Sequence, residues 1–198
     1  MSMFEELTVG KRTITGGGAP AGSTLGAPTT GTLSAVHECT GVINRSTFTM
    51  TNANVPVTDA AGSGSYGTLK LFTFPPGSIS FIGCRQNYTA TTEGALLTGA
   101  AGDAVYKWGV GTEAIASAAD GLLATVSVDI GSATGAITNS GGTGAATVTN
   151  HTATAFDGTA TNATLNLNWS GTAATIDATS TIGVTGTITV LWAMLGDD

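Results

Sequence analysis

Beyond about residue 33, apolar and polar residues alternate with a period of two, the pattern of strands with one buried face. In residues 122–130, Leu122, Ala124, Val126, Val128 and Ile130 share one face, while Leu123, Thr125, Ser127 and Asp129 share the other. In residues 163–169, Leu165, Leu167 and Trp169 alternate with Thr164, Asn166 and Asn168; in residues 187–192, Ile188, Val190 and Trp192 alternate with Thr187, Thr189 and Leu191. Less regular strands are expected at residues 42–50, 69–74, 79–84 and 104–110. Between Phe81 and Ile82, beside Gly83, the alternation slips as it would at a β-bulge.

Turn chemistry separates these runs. Pro75-Pro76-Gly77 must end a strand, since proline donates nothing to a ladder. Residues 61–65 and 140–144 read as loops or hairpin tips. The one helical candidate, residues 113–119, is too short to stand without packing. Many short strands rich in Thr predict an all-β chain: an antiparallel β-sandwich or jelly roll spanning residues 34–198. Residues 1–33, with Gly16-Gly17-Gly18 and a Gly/Pro/Thr/Ser run, read as an extended N-terminal arm on a flexible tether. Residues 131–162, dominated by Gly, Ala, Thr, Ser and Asn, read as a loop or hairpin, with strand character at residues 146–149.

Composition narrows the function. Thr (37), Ala (29) and Gly (29) make up nearly half of the 198 residues, so the core must be thin. Only 10% of residues are charged, and with six Lys and Arg and a net charge of −7 the chain lacks the cations that give affinity for a polyanion. Nucleic acid is not an expected partner, and no apolar run is long enough to span a bilayer, so neither is a membrane. Residues 1–15 carry Glu5 and Glu6 and no long apolar run, so a secretory signal is not expected and synthesis in a cytosol is. Cys39 and Cys84 lack C-x-x-C spacing and read as buried small hydrophobes rather than a disulfide.

The usual hydrolase, NTPase and zinc-protease motifs are missing, and no catalytic residue, cofactor or metal site is expected. His37-Glu38-Cys39 could offer metal ligands on paper, but neighbours on a strand point to opposite faces; a structural histidine is the better reading. Asn87-Tyr88-Thr89 and Asn168-Trp169-Ser170 match the glycosylation triplet, as chance allows in so Thr-rich a chain. Trp108, Trp169 and Trp192 could stack on sugars, yet each is in register with aliphatic neighbours, which favours the core.

The C-terminal texture, with Ala155-Phe156-Asp157-Gly158-Thr159-Ala160, Ile176-Asp177-Ala178 and the ending Gly186-Thr187-Ile188-Thr189-Val190-Leu191-Trp192 … Leu195-Gly196-Asp197-Asp198, resembles tailed-bacteriophage virion structural proteins, particularly head decoration or cement proteins. The resemblance covers roughly residues 100–198. It implies a jelly-roll or related β-fold, a homo-oligomer with a trimer favoured, and a non-enzymatic part on the head exterior that bridges major capsid protein subunits after assembly in the host cytoplasm. The arm is then the expected clamp, with Phe4, Leu7, Val9, Lys11, Arg12 and Ile14 as partner-contact residues. Another virion part, such as a tail fibre, tail tube or receptor-binding domain, is the alternative; a sugar-binding module and an enzyme rank below it.

Overall fold

The computed structural model describes residues 12–15, 20–40, 42–59, 65–93, 97–98, 105–116, 129–136, 154–156, 158–171, 175–176 and 181–196. Among these the chain is all-β. Its strands are β1 (Arg12–Thr15), β2 (Thr24–Leu25), β3 (Thr32–Thr40), β4 (Ile43–Val55), β5 (Thr58–Asp59), β6 (Ser65–Thr73), β7 (Ser78–Glu93), β8 (Leu97–Thr98), β9 (Val105–Gly111), β10 (Asp129–Ala136), β11 (Thr154–Phe156), β12 (Thr164–Gly171), β13 (Thr175–Ile176) and β14 (Thr181–Gly196).

Two antiparallel sheets pack face to face as a sandwich. The first runs β1-β3-β4-β14-β7-β11 and the second β10-β9-β12-β6-β2, with β5 beside β6; β8 and β13 form a separate pair. Eight of these strands nest like one long hairpin: β4 pairs β14, β6 pairs β12, β7 pairs β11 and β9 pairs β10. Numbered one to eight along the chain, they lie 1-8-3-6 in the first sheet and 2-7-4-5 in the second. That is the rolled-hairpin order of a jelly roll; β1, β2 and β3 widen its two sheets.

The core lies between the sheets, and aromatic rings join them. Phe48 of β4 meets Phe72 of β6 with centroids 5.4 Å apart, Phe74 meets both Phe81 and Trp192, at 5.3 and 5.1 Å, and Tyr88 meets Trp108 at 5.5 Å. All three tryptophans are buried, as their registers predict.

Bulges decide which residues reach this core. Opposite Leu191 and Trp192 of β14, β7 presents Gly83 and Phe81, leaving Ile82 as the extra residue expected from the sequence. The inward positions therefore change parity, from Ile79 and Phe81 to Cys84, Gln86, Tyr88 and Ala90. The same device acts in β4, where Asn52 sits at φ 47° and the buried series passes from Phe48 and Met50 to Ala53 and Val55. In β6 the switch falls at Leu71 and Phe72, both fully buried.

Several expectations change. The arm's boundary at residue 33 falls inside β3, and residues 20–31 lie on the sandwich: β2 pairs with β6, the Gly26 N–H donates to the Leu71 carbonyl at 2.9 Å, and the Asn54 N–H donates to that of Thr30 at 3.1 Å. Gly26 serves close approach rather than slack, because a Cβ there would stand 1.8 Å from the Lys70 carbonyl oxygen. Residues 113–116 form no helix. Of the segment 131–162, residues 131–136 belong to β10 and residues 154–156 form β11, while residues 137–153, including the strand expected at 146–149, lie outside the described residues. Residues 122–128, the loop 61–64 and His151 lie outside them too.

Candidate interaction surface

Several polar groups of the interior are used in structure. His37, inward on β3, shares a 2.8 Å hydrogen bond between Nδ1 and the Ser46 hydroxyl, which also accepts the Trp192 indole N–H at 2.9 Å. The imidazole lies against Phe48 and Phe72, and burial holds its pKa below the usual 6.5. Glu38 points the other way and pairs with Arg45 across the β3–β4 ladder. Strand alternation thus separates His37 from Glu38, and among the described residues no three His, Cys, Asp or Glu side chains converge. Cys39 and Cys84 are half-buried rather than fully buried and form no disulfide with each other. They stand on β3 and β7, with β4 and β14 between them, or roughly 14 Å at ordinary strand spacing.

A second polar set lies on the outer face of the second sheet, and it is covered. Residues 112–116 cross Thr68 and Asn168: the Ile115 N–H donates to the Thr68 hydroxyl at 3.1 Å, and the Asn168 amide donates to the Glu113 carbonyl at 2.9 Å. Asn168 Oδ1 accepts the Thr68 hydroxyl at 2.7 Å, and the Thr164 hydroxyl donates to the Thr112 carbonyl at 2.6 Å. Asn166, Asn168 and Ser170 are buried on what the alternation reads as a wet face, which also removes Asn168 as a glycan acceptor. Among the described residues, the buried Gln86 Nε2 and Asn54 Oδ1 have no hydrogen-bond partner. Gln86 Oε1 accepts the Tyr88 hydroxyl at 3.1 Å, and burial, then the nearby Cys84, pushes that hydroxyl's pKa up.

What remains open is the outer face of the first sheet. Across β3, β4, β14 and β7 its side chains stand in rows: Ser34, Thr49, Thr187, Asn87; then Val36, Thr47, Thr189, Arg85; then Glu38, Arg45, Leu191, Gly83. Thr32, Thr51, Thr185 and Thr89 continue the pattern at one end. Neighbouring hydroxyls bond within it, Thr47 to Thr189 at 3.2 Å, and the Asn52 N–H donates to the Thr185 hydroxyl at 2.9 Å. At the other end the face turns apolar. Ile43 (40% exposed), Ile82 (40%), Leu191 (37%) and Leu195 (58%) gather there, with Val42 at the β3–β4 turn.

Of the residues expected to contact a partner, Phe4, Leu7, Val9 and Lys11 lie outside the described residues. Arg12 and Ile14 lie on β1, whose backbone pairs with Cys39 and His37 of β3 in the same chain. The apolar end was not singled out from the sequence, although Leu191 stands among threonines on the polar side of its own alternation and Ile82 marks the slip in β7. No helix among the described residues is long and apolar enough to cross a membrane. No protein-family model, curated protein or solved structure matches this chain.

Proposed function

We propose that the protein is a non-enzymatic cement or decoration protein of a phage head, stabilising the shell by bridging major capsid protein subunits. The observation that carries this reading is the open face of the first sheet: broad, built largely of hydroxyls, with its charges confined to Glu38, Arg45 and Arg85 among those rows, and mounted on a rolled-hairpin sandwich. Such a face offers little to a transition state but can bury area against a neighbour at small desolvation cost. A part of this kind gains stability by binding, since anything that holds only the folded state raises its apparent stability. Closed homo-oligomers, a trimer among them, are the common form for such parts. The C-terminal resemblance points the same way.

Counting copies in purified particles tests the proposal. A copy number comparable to that of the major capsid protein, with shells that lose heat resistance when this chain is removed, is the expected result. A handful of copies per particle moves the chain to the tail, as a fibre, tube or receptor-binding part, and refutes the head assignment. Trimming only residues 1–11 is the informative deletion for the arm, because removing 1–33 would also remove β1, β2 and the start of β3.

A further inference from the structure

The open face of the first sheet is complementary to itself about an axis that lies in the face, parallel to the strands and midway between β4 and β14. Half a turn about this axis sets the β4 column of one copy opposite the β14 column of a second, the β3 column opposite the β7 column, and each row opposite the same row. The pairs that result are unlike. Ile43, exposed at the apolar end, falls opposite the small Ala193 of the second copy, because the two are register partners within one chain. By the same relation Leu191 falls opposite the stem of Arg45, whose methylenes suit an aliphatic neighbour.

Charge follows the same pattern. Glu38 stands on the β3 column and the exposed Arg85 on the β7 column, one row apart, or about 7 Å along the strands. The half turn brings these columns face to face, so each copy's Arg85 comes within reach of the other's Glu38. Arg45 is balanced by Glu38 of its own chain through Oε2, and a carboxylate can accept from two guanidinium groups. An axis across the strands would set each column opposite itself, and the β7 column from Ser80 to Thr89 has no acid to meet Arg85. Four strands across and five rows along cover about 19 by 33 Å, roughly 600 Å² per copy and 1,200 Å² in all, the lower end of specific interfaces.

We infer that two copies of this chain associate through the open face of the first sheet as a two-fold dimer, with Ile43 over Ala193 and Arg85 directed to Glu38 in both directions. The dimer covers the apolar end of the face. It is a state of the free protein and does not rest on the particle reading; on a shell, a capsid subunit would take the place of the second copy.

Sedimentation equilibrium of the full chain, from below to well above micromolar concentration, is the test. A monomer–dimer equilibrium in the micromolar range is expected for so modest an area. Arg85→Glu and Glu38→Arg each set like charges opposite one another and should weaken association at least about tenfold, with the β-sheet circular dichroism kept. An equal mixture of the two variants brings opposite charges together at both contacts and should recover most of the loss. A monomer at every concentration, a trimer in place of the dimer, single variants that associate as the natural chain does, or a mixture as weak as its parts would each overturn the inference.

Discussion

The two outer faces of the sandwich are written in nearly the same residues and have opposite fates. On the first sheet Thr47, Thr49, Thr185, Thr187 and Thr189 face outward in open rows. On the second, Thr68, Asn166, Asn168 and Ser170 occupy equivalent outward positions; Thr68 and Asn168 lie under residues 112–116, and Asn166 and Ser170 are buried beside them. Alternation tells which side of a strand is polar, but not whether that side is wet. The covering segment decides, and it is held by one amide and two hydroxyls: Asn168 donates to the Glu113 carbonyl, Thr68 accepts the Ile115 N–H and Thr164 donates to the Thr112 carbonyl.

The sharpest break of this comparison is Asn168→Ala. It removes the acceptor for the Thr68 hydroxyl and the donor to the Glu113 carbonyl, leaving buried groups unpaired. A loss of about 2–3 kcal/mol is expected, measured by urea denaturation, with faster amide exchange at Ile115. Thr187→Ala, the matching deletion on the open face, should cost under about 0.5 kcal/mol. Equal costs at the two sites would mean that cover makes no energetic difference.

Next in size is Asn52→Val. Asn52 occupies the left-handed region at φ 47°, which a β-branched residue adopts only with strain, so a cost of about 1–2 kcal/mol is expected. Asn52→Gly should restore most of it. This pair isolates the bulge that lets β4 serve the core on both sides of the switch.

How much of this was readable from the chain follows from the same features. Where a strand keeps one parity, as in β12 with Leu165, Leu167 and Trp169 or β14 with Ile188, Val190 and Trp192, face and burial follow directly from spacing. The slip at Ile82 was visible because Phe81 and Ile82 are both bulky and Gly83 follows. The switch at Asn52 was not, since Thr51, Asn52 and Asn54 give no contrast of hydropathy on either side. Glycines misled in one direction only: read as slack in residues 20–31, they include Gly26, whose bare backbone fits against Lys70. The apolar end of the open face escaped notice because its members come from three strands and meet only through register.

A smaller effect concerns pH. His37 has a lowered pKa in the folded chain, so the unfolded chain takes up its proton first as pH falls. The stability tied to neutral His37 is therefore complete above pH 6.5 and declines as pH drops below it. Thermal midpoints should fall on mild acidification, and His37→Gln, which cannot titrate, should flatten that slope. A wild-type slope unchanged by the substitution would remove the Ser46–His37 contact from the acid response.

The smallest change in stability and the most telling in behaviour is Leu191→Thr. It continues the series Thr185, Thr187, Thr189 through the position where the face turns apolar. Leu191 is already 37% exposed, so folding should shift by no more than about 0.5 kcal/mol. Its neighbours Ile43 and Ile82 would then stand apart, on different columns, with a hydroxyl between them. If the open face works by burying apolar area at this end and by hydroxyl contacts elsewhere, the variant should keep its fold and lose retention on a hydrophobic-interaction column. Retention equal to that of the natural chain would mean that the rows of threonine, and not the apolar end, set the character of the whole face.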